Sequence, residues 1–160
     1  MARGRDLLMA TWGELKEARP DLAEHGARLL KQYAVAMAFI ATLRKDGAPR
    51  LHPCCPALTE TGLYVFIPHT SPKLHDLSRD PRYALHTFLP EEGDEEFYVA
   101  GKAARVDDPD VRAAMVATHH YAPPADEAFF ELSIERALHT TWENWATPET
   151  RPIYEKWQEA

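Results

Sequence analysis

The segment Ala34-Val35-Ala36-Met37-Ala38-Phe39-Ile40-Ala41-Thr42-Leu43-Arg44-Lys45-Asp46-Gly47-Ala48-Pro49-Arg50-Leu51-His52-Pro53 decides the fold class of this chain. Residues 34–43 are almost continuously apolar and stop at Asp46-Gly47, the dipeptide most typical of a tight hairpin. They predict a buried strand that turns back on itself. The return strand runs from Pro49 to Leu58. Its period of two puts Arg50, His52, Cys54 and Pro56 on one face and Leu51, Pro53, Cys55 and Ala57 on the other. Pro49, Pro53 and Pro56 cannot donate to a ladder, so this strand is expected at a sheet edge or a bulge.

Working outward from the hairpin, Thr59–Gly62 form a second turn that leads into a strand over Leu63–Ile67. Ser71 is placed to cap a helix that has Pro72 at its first position. Further strands are expected over residues 83–88, 97–106 and 129–141, with a helix from Pro109 to Tyr121 and a terminal helix over about 149–158. The acidic run Glu91–Glu96 reads as a solvated hairpin tip. Upstream, Thr11–Tyr33 carries Leu22, Gly26, Leu29 and Leu30 at helical spacing, which predicts two short helices. Together these make a mainly β, α+β fold, a barrel with helical inserts. We expect a single domain spanning 1–160, with N-terminal helices over 1–33, a barrel core over about 34–145 and a C-terminal helix after it.

Composition narrows the function classes. At 160 residues with 45% hydrophobic and 27% charged side chains, the chain can bury one core. A formal charge of -7, with no basic cluster denser than Arg44-Lys45, argues against nucleic acid as a partner. The start, Met1 to Ala10, is too short in apolar residues for an export signal or a membrane span, and Cys54 and Cys55 are adjacent, which disfavours a disulfide between them. A cytoplasmic protein is expected, with no membrane partner.

The residues most suggestive of chemistry are Arg50 and Ser71-Pro72-Lys73. A helix start offers free N–H groups and partial positive charge, Lys73 adds an ammonium, and Arg50 can close a two-pronged clamp on the same anion. Taken alone, Ser-Pro is equally an ordinary helix start. His52 shares the Arg50 face and can reach the same ligand. The spacing of His52, His69, His75 and His86 matches no metal motif, and His119 and His120 diverge on a helix, so no metal centre is expected. Cys54 reads as a packing residue and Trp142 and Trp145 as core or subunit contacts. No residue stands out as an obligatory acid or base.

The order Ala41–Pro53, Leu63-Tyr64-Val65-Phe66, Ser71-Pro72-Lys73, Leu77, Asp80–Leu85 and Gly101-Lys102-Ala103 resembles the FMN-binding split barrels of the pyridoxamine 5'-phosphate oxidase-like superfamily. The resemblance implies a six-stranded antiparallel split β-barrel. It also implies a homodimer with FMN at the subunit interface and a small-molecule substrate or electron donor. FMN phosphate then falls to Arg50, Ser71 and Lys73, and the ring to Leu51, His52, Pro53, Phe66 and Ile67, with Trp142 stacking from the partner chain. The implied activity is an FMN-dependent oxidoreduction. Alternatives within the same fold are a flavin-binding sensor, or a variant that takes a deazaflavin or haem. Cys55 and Glu96 replace a Lys and a Gln of the pyridoxal-phosphate-forming oxidases, and Arg136-Ala137-Leu138-His139 lacks their Arg-x-His spacing. That particular substrate is therefore not expected.

Overall fold

The computed structural model describes residues 9–118 and 122–160. The reading of the N-terminal residues before Met9 and that of His119, His120 and Tyr121 lie outside the described residues.

Two helices open the fold, α1 (Trp12–Ala18) and α2 (Pro20–Leu30). Thr11 caps α1 through a reciprocal box: its hydroxyl accepts from the Glu14 amide at 3.2 Å, and the Glu14 carboxylate accepts from the Thr11 amide at 2.8 Å. Pro20 starts α2, and its buried face is Leu22, Ala23, Gly26, Leu29 and Leu30. Gly26 has to be a glycine for a packing reason, since a Cβ there would lie 2.4 Å from the buried Phe97 ring.

The strands are β1 (Ala38–Leu43), β2 (Pro49–Cys54), β3 (Ala57–Leu58), β4 (Leu63–Ile67), β5 (Arg82–Thr87), β6 (Glu96–Arg105), β7 (Ala128–Glu143) and β8 (Arg151–Gln158). Helix α3 (Pro72–Arg79) joins β4 to β5, and α4 (Pro109–Thr118) lies between β6 and β7. They form one antiparallel sheet in the order β2-β1-β5-β6-β7-β4-β3, with β8 paired to β7. The β1–β2 hairpin turns at Asp46-Gly47, where Gly47 takes φ 81°, a conformation that favours glycine. Between β5 and β7, β6 carries a bulge at Ala100/Gly101, and a Cβ on Gly101 would meet the Ser133 carbonyl at 1.9 Å.

Two expectations need correction. Residues 149–158 are not a helix: Arg151–Gln158 is strand β8, in register from Arg136↔Gln158 to Glu143↔Arg151. Asn144 and Ala146 take φ 54° and 60°, and the Thr147 and Thr150 hydroxyls donate to the Asn144 carbonyl, so a tight turn folds the chain back onto β7. The backbone edge of β7 is satisfied by this pairing, and Pro152 is tolerated because β8 is an edge strand. The barrel also has eight strands rather than six, partly through β8 and partly because the return strand breaks at Cys55-Pro56 into β2 and β3.

The sheet is not closed. Its terminal strands β2 and β3 are linked only through Cys55 and Pro56, a span of at most about 11 Å, so the sheet must curl until its two edges approach. Along this split and among the described residues, β2 pairs only with β1, as the prolines predicted, and β3 covers β4 only at Leu63 and Tyr64. Among the described residues, the backbone groups at Leu51–Pro53 and at Val65–Ile67 have no ladder partner on that side.

The main core fills the barrel with Ile40, Leu63, Val65, Ile67, Leu85, Phe97, Val99, Leu132 and Ile134, and is plugged by Trp12, Leu15, Leu22, Leu29 and Leu30 of α1 and α2. A smaller cluster of Ala57, Val106, Met115 and Phe129 lies beneath α4. Among the described residues no helix is long and apolar enough to cross a membrane.

Candidate functional site

Strand β2 presents alternate residues as expected: Arg50, His52 and Cys54 are half-buried, while Leu51, Pro53 and Cys55 are exposed. The buried-side residues lie opposite Thr42, Ile40 and Ala38 of β1, which places them on the core side at the edge of the barrel, next to α3. Here α3 begins at Pro72, with Ser71 as its N-cap. Among the described residues, the Ser71 hydroxyl makes no capping bond to the helix it begins.

The organiser of this corner is Asp76, which the sequence did not single out. It is 3% exposed. Its carboxylate accepts from Arg50 Nε at 2.7 Å, Thr42 Oγ1 at 2.9 Å and Arg79 Nη2 at 3.1 Å. Burial raises its pKa, but the bonds from Arg50, Thr42 and Arg79 outweigh that and hold it below the usual 3.8. Asp76 therefore stays ionised and fixes Arg50 between β2 and α3. Arg50 commits only Nε, and its terminal nitrogens make no hydrogen bond to another described residue.

Lys73 completes the group. It is half-buried and has no carboxylate partner among the described residues. Its ammonium is close enough to act electrostatically on both His52 and Cys54. Burial lowers the pKa of His52, Lys73 and Arg50 push it the same way, and Asp76 opposes them, so the ring is neutral at physiological pH. Burial pushes the Cys54 thiol up to about 12 against the pull of Lys73. The thiol packs against the main core, in keeping with a packing role. Arg50, Lys73 and Arg79, partly offset by Asp76, leave about two positive charges, which suits a phosphate dianion. On the hairpin side of Arg50 lies an open depression of about 580 Å³ lined by Arg44, Lys45, Arg50, His75 and Arg79 among others, with Ser71 and Lys73 outside it.

The remaining site expectations divide. Leu51 is 66% exposed, and with Pro53 it stands on the outer face of the sheet, so it is open to a ligand or a second chain. Phe66 and Ile67 point to opposite sides of β4. Ile67 is in the main core, and Phe66 stacks on Phe129 at 4.7 Å with the Arg112 guanidinium 5.2 Å above it. Both side chains are used in packing, and what β4 offers a ligand is its unpaired backbone. Trp142 is not brought to this group within the chain. It lies at the opposite end of β7 from Phe129, edge-to-face with Trp145 at 5.5 Å.

A second constellation escaped the sequence reading. His139, 3% exposed, lies between Glu95 and Glu155, with both ring nitrogens 2.7 Å from a carboxylate oxygen. Glu95 therefore leaves the acidic tip and folds back, so the solvated-tip reading holds for its exposed residues Glu91, Glu92 and Gly93. His25 of α2 stacks on the His139 ring at 4.0 Å, so the participants come from α2, the β5–β6 loop, β7 and β8, and no local spacing announces them.

Comparison with known proteins agrees with this architecture. No curated protein matches the sequence. Among solved structures, a haem-binding protein from Mycobacterium smegmatis is 21% identical with a TM-score of 0.61, over 84% of this chain and 58% of its own. The haem storage protein HutZ of Vibrio cholerae is 15% identical with a TM-score of 0.57, over 72% of this chain and 89% of its own. A candidate pyridoxamine 5'-phosphate oxidase of Listeria innocua is 14% identical with a TM-score of 0.58, over 71% and 94%. At such identities these likenesses concern the fold alone. The chain thus spans little more than half the length of the mycobacterial protein. The family model described as pyridoxamine 5'-phosphate oxidase matches residues 24–141, which takes in the hairpin, the split and the Arg50–Lys73 corner, and the chain belongs to that family.

Proposed function

We propose that this protein binds FMN at the split edge of its barrel and uses it for oxidoreduction of a small molecule. What supports this reading is that Arg50 and Lys73 both act electrostatically on His52 of the edge strand β2, while the Arg50 terminal nitrogens and the Lys73 ammonium have no hydrogen-bond partner among the described residues. A phosphate accepts from the Arg50 terminal nitrogens, the Lys73 ammonium and the Ser71 hydroxyl. The backbone of Leu51–Pro53 and Phe66-Ile67 borders the ring, and its N–H and C=O groups orient it and exclude water from one side. FMN supplies the redox chemistry when bound, and the chain supplies position and electrostatics. His52, neutral and half-buried, is a hydrogen-bonding partner for the ring or its side chain.

The same reading includes a cytoplasmic homodimer. The outer face of the sheet sets Ala41, Ala84 and Ala100 side by side, flanked by exposed Leu51 and Phe39. A floor of small side chains with an apolar rim suits an isologous contact that buries the flavin, and Trp142 reaches it only from a partner.

A second reading has a specific observation in its favour. Two of the structural relatives are named for haem, and a neutral imidazole at His52, flanked by cations that can meet propionates, is a feasible iron ligand. The absorbance spectrum of the freshly purified protein separates the two. Maxima near ~370 and ~450 nm support flavin, and an intense band near ~400 nm supports haem. Fluorescence titration then compares FMN with riboflavin. FMN is expected to bind at least tenfold more tightly, and equal affinities overturn the phosphate clamp. A monomer by sedimentation that binds FMN at full strength overturns the interface reading.

A further inference from the structure

We propose a divalent transition-metal site, of the kind that takes Zn²⁺, formed by His25, Glu95 and His139 and backed by Glu155. It is separate from the split edge and rests on no part of the cofactor reading. The four residues come from α2, the loop before β6, strand β7 and strand β8, and the ligand atoms of His25, Glu95 and His139 all lie within 4.8 Å of one another.

The protons of a neutral His139 ring do not suffice for its two carboxylate neighbours. Its Nδ1 is 2.7 Å from Glu155 Oε2 and its Nε2 is 2.7 Å from Glu95 Oε1. A neutral imidazole has one N–H. If Nδ1–H donates to Glu155, the Nε2 lone pair of the 3% exposed His139 faces a Glu95 carboxylate oxygen, and a proton or a metal cation has to lie between them. A carboxylate behind the distal nitrogen of a buried histidine is the arrangement that fixes the tautomer and raises the basicity of a metal-binding imidazole. His25 supplies the third ligand. Its ring stacks on that of His139 with centroids 4.0 Å apart, and its Nδ1 is 3.6 Å from the same Glu95 oxygen.

The dimensions fit an ion after small movements. Metal–nitrogen and metal–oxygen bonds near 2.1 Å in a tetrahedron separate ligand atoms by about 3.4 Å. The Glu95–His25 distance is already close to that, the Glu95–His139 contact opens by some tenths of an ångström, and the half-buried His25 ring tilts to aim its nitrogen. Arg28 is the opposing cation: it is hydrogen-bonded to Glu95 and lies 3.3 Å from His25 Nδ1. Its side chain is half exposed and can turn to solvent when the ion enters. Glu95 and Glu155 compensate the charge of the ion. Three protein ligands leave a fourth position for water or an exogenous group.

The test is Co²⁺ titration of the full-length chain after treatment with a chelator, followed through the visible d–d bands, with Zn²⁺ as competitor. One ion per chain, with bands of four-coordinate intensity, is expected. His25→Ala, at a half-exposed position that spares the fold, is expected to lower affinity at least tenfold, and Glu155→Gln tenfold to a hundredfold through the second ligand shell. His75→Ala, on α3, leaves it unchanged. Absence of stoichiometric binding, or binding that is the same in His25→Ala and the parent with both shown folded by circular dichroism, overturns the proposal and leaves His139 with a proton between its carboxylates.

Discussion

Deleting either end of the Arg50–Asp76 pair should cost stability, because Arg50 does structural duty besides its proposed part in the phosphate clamp. In Arg50→Ala the carboxylate of Asp76 loses one charged hydrogen bond but keeps those from Thr42 and Arg79. Such a bond is worth about 1.5–3 kcal/mol, and because roughly a quarter of the Arg50 side chain is exposed, screening reduces the expected loss to about 1–2 kcal/mol. Asp76→Ala removes the acceptor from all three donors. The two arginines rehydrate, but Thr42 is 2% exposed and its hydroxyl is orphaned, which brings the total to about 3–4 kcal/mol. At about 2–4 °C per kcal/mol for a chain of this size, Asp76→Ala should melt roughly 6–16 °C lower. The assay is urea unfolding of the cofactor-free proteins and the double variant. Its coupling term should be about 1–2 kcal/mol. FMN affinity should separate the roles: Arg50→Ala loses a ligand and weakens binding about 5- to 150-fold, a loss of about 1–3 kcal/mol. Asp76→Ala keeps the guanidinium and should weaken binding less. Strict additivity of the two stability losses, or an Arg50→Ala protein as stable as the parent, refutes the network.

Lys73→Ala removes a cation with no protein carboxylate to leave behind, so its expected signature is weaker FMN binding at an unchanged melting temperature, read by isothermal titration beside thermal melts. Because the folded pKa of Asp76 is depressed, its contribution to stability is present above about pH 4 and disappears as pH falls through the folded value. The stability gap between the parent and Asp76→Asn should therefore narrow in acid unfolding below that point, and a gap that widens there would contradict the sign. With its thiol pushed up to about 12, Cys54 should resist iodoacetamide at pH 8 while the exposed Cys55 is modified first, as peptide mass spectrometry will show. Gly101→Ala drives a Cβ into the Ser133 carbonyl across the β6 bulge and should destabilise by about 3 kcal/mol or more in denaturant titration.

Much of this protein is determined locally and was legible in the sequence. Asp46-Gly47 specifies a hairpin because glycine at positive φ matches the strand twist. The prolines of residues 49–56 specify an edge because they lack a donor, and Pro20 and Pro72 mark helix starts because their fixed φ and missing N–H suit a first helical position. Alternation along β2 correctly put Arg50, His52 and Cys54 on one side. The terminal strand was not legible: Glu, Lys and Gln in residues 149–158 favour a helix, but the unpaired edge of β7 and the turn at Asn144–Ala146 recruit the segment as β8, a choice made by a partner strand. The same limit hid Asp76 and the His139 cluster. Asp76 is significant only because α3 packs it against Thr42 and Arg50, and Glu95, His25, His139 and Glu155 are far apart in the chain. Short-range chemistry in the sequence chose the elements. Which polar groups are buried together, and so which of them must share protons, anions or metal ions, was decided only when the sheet curled and the helices closed over it.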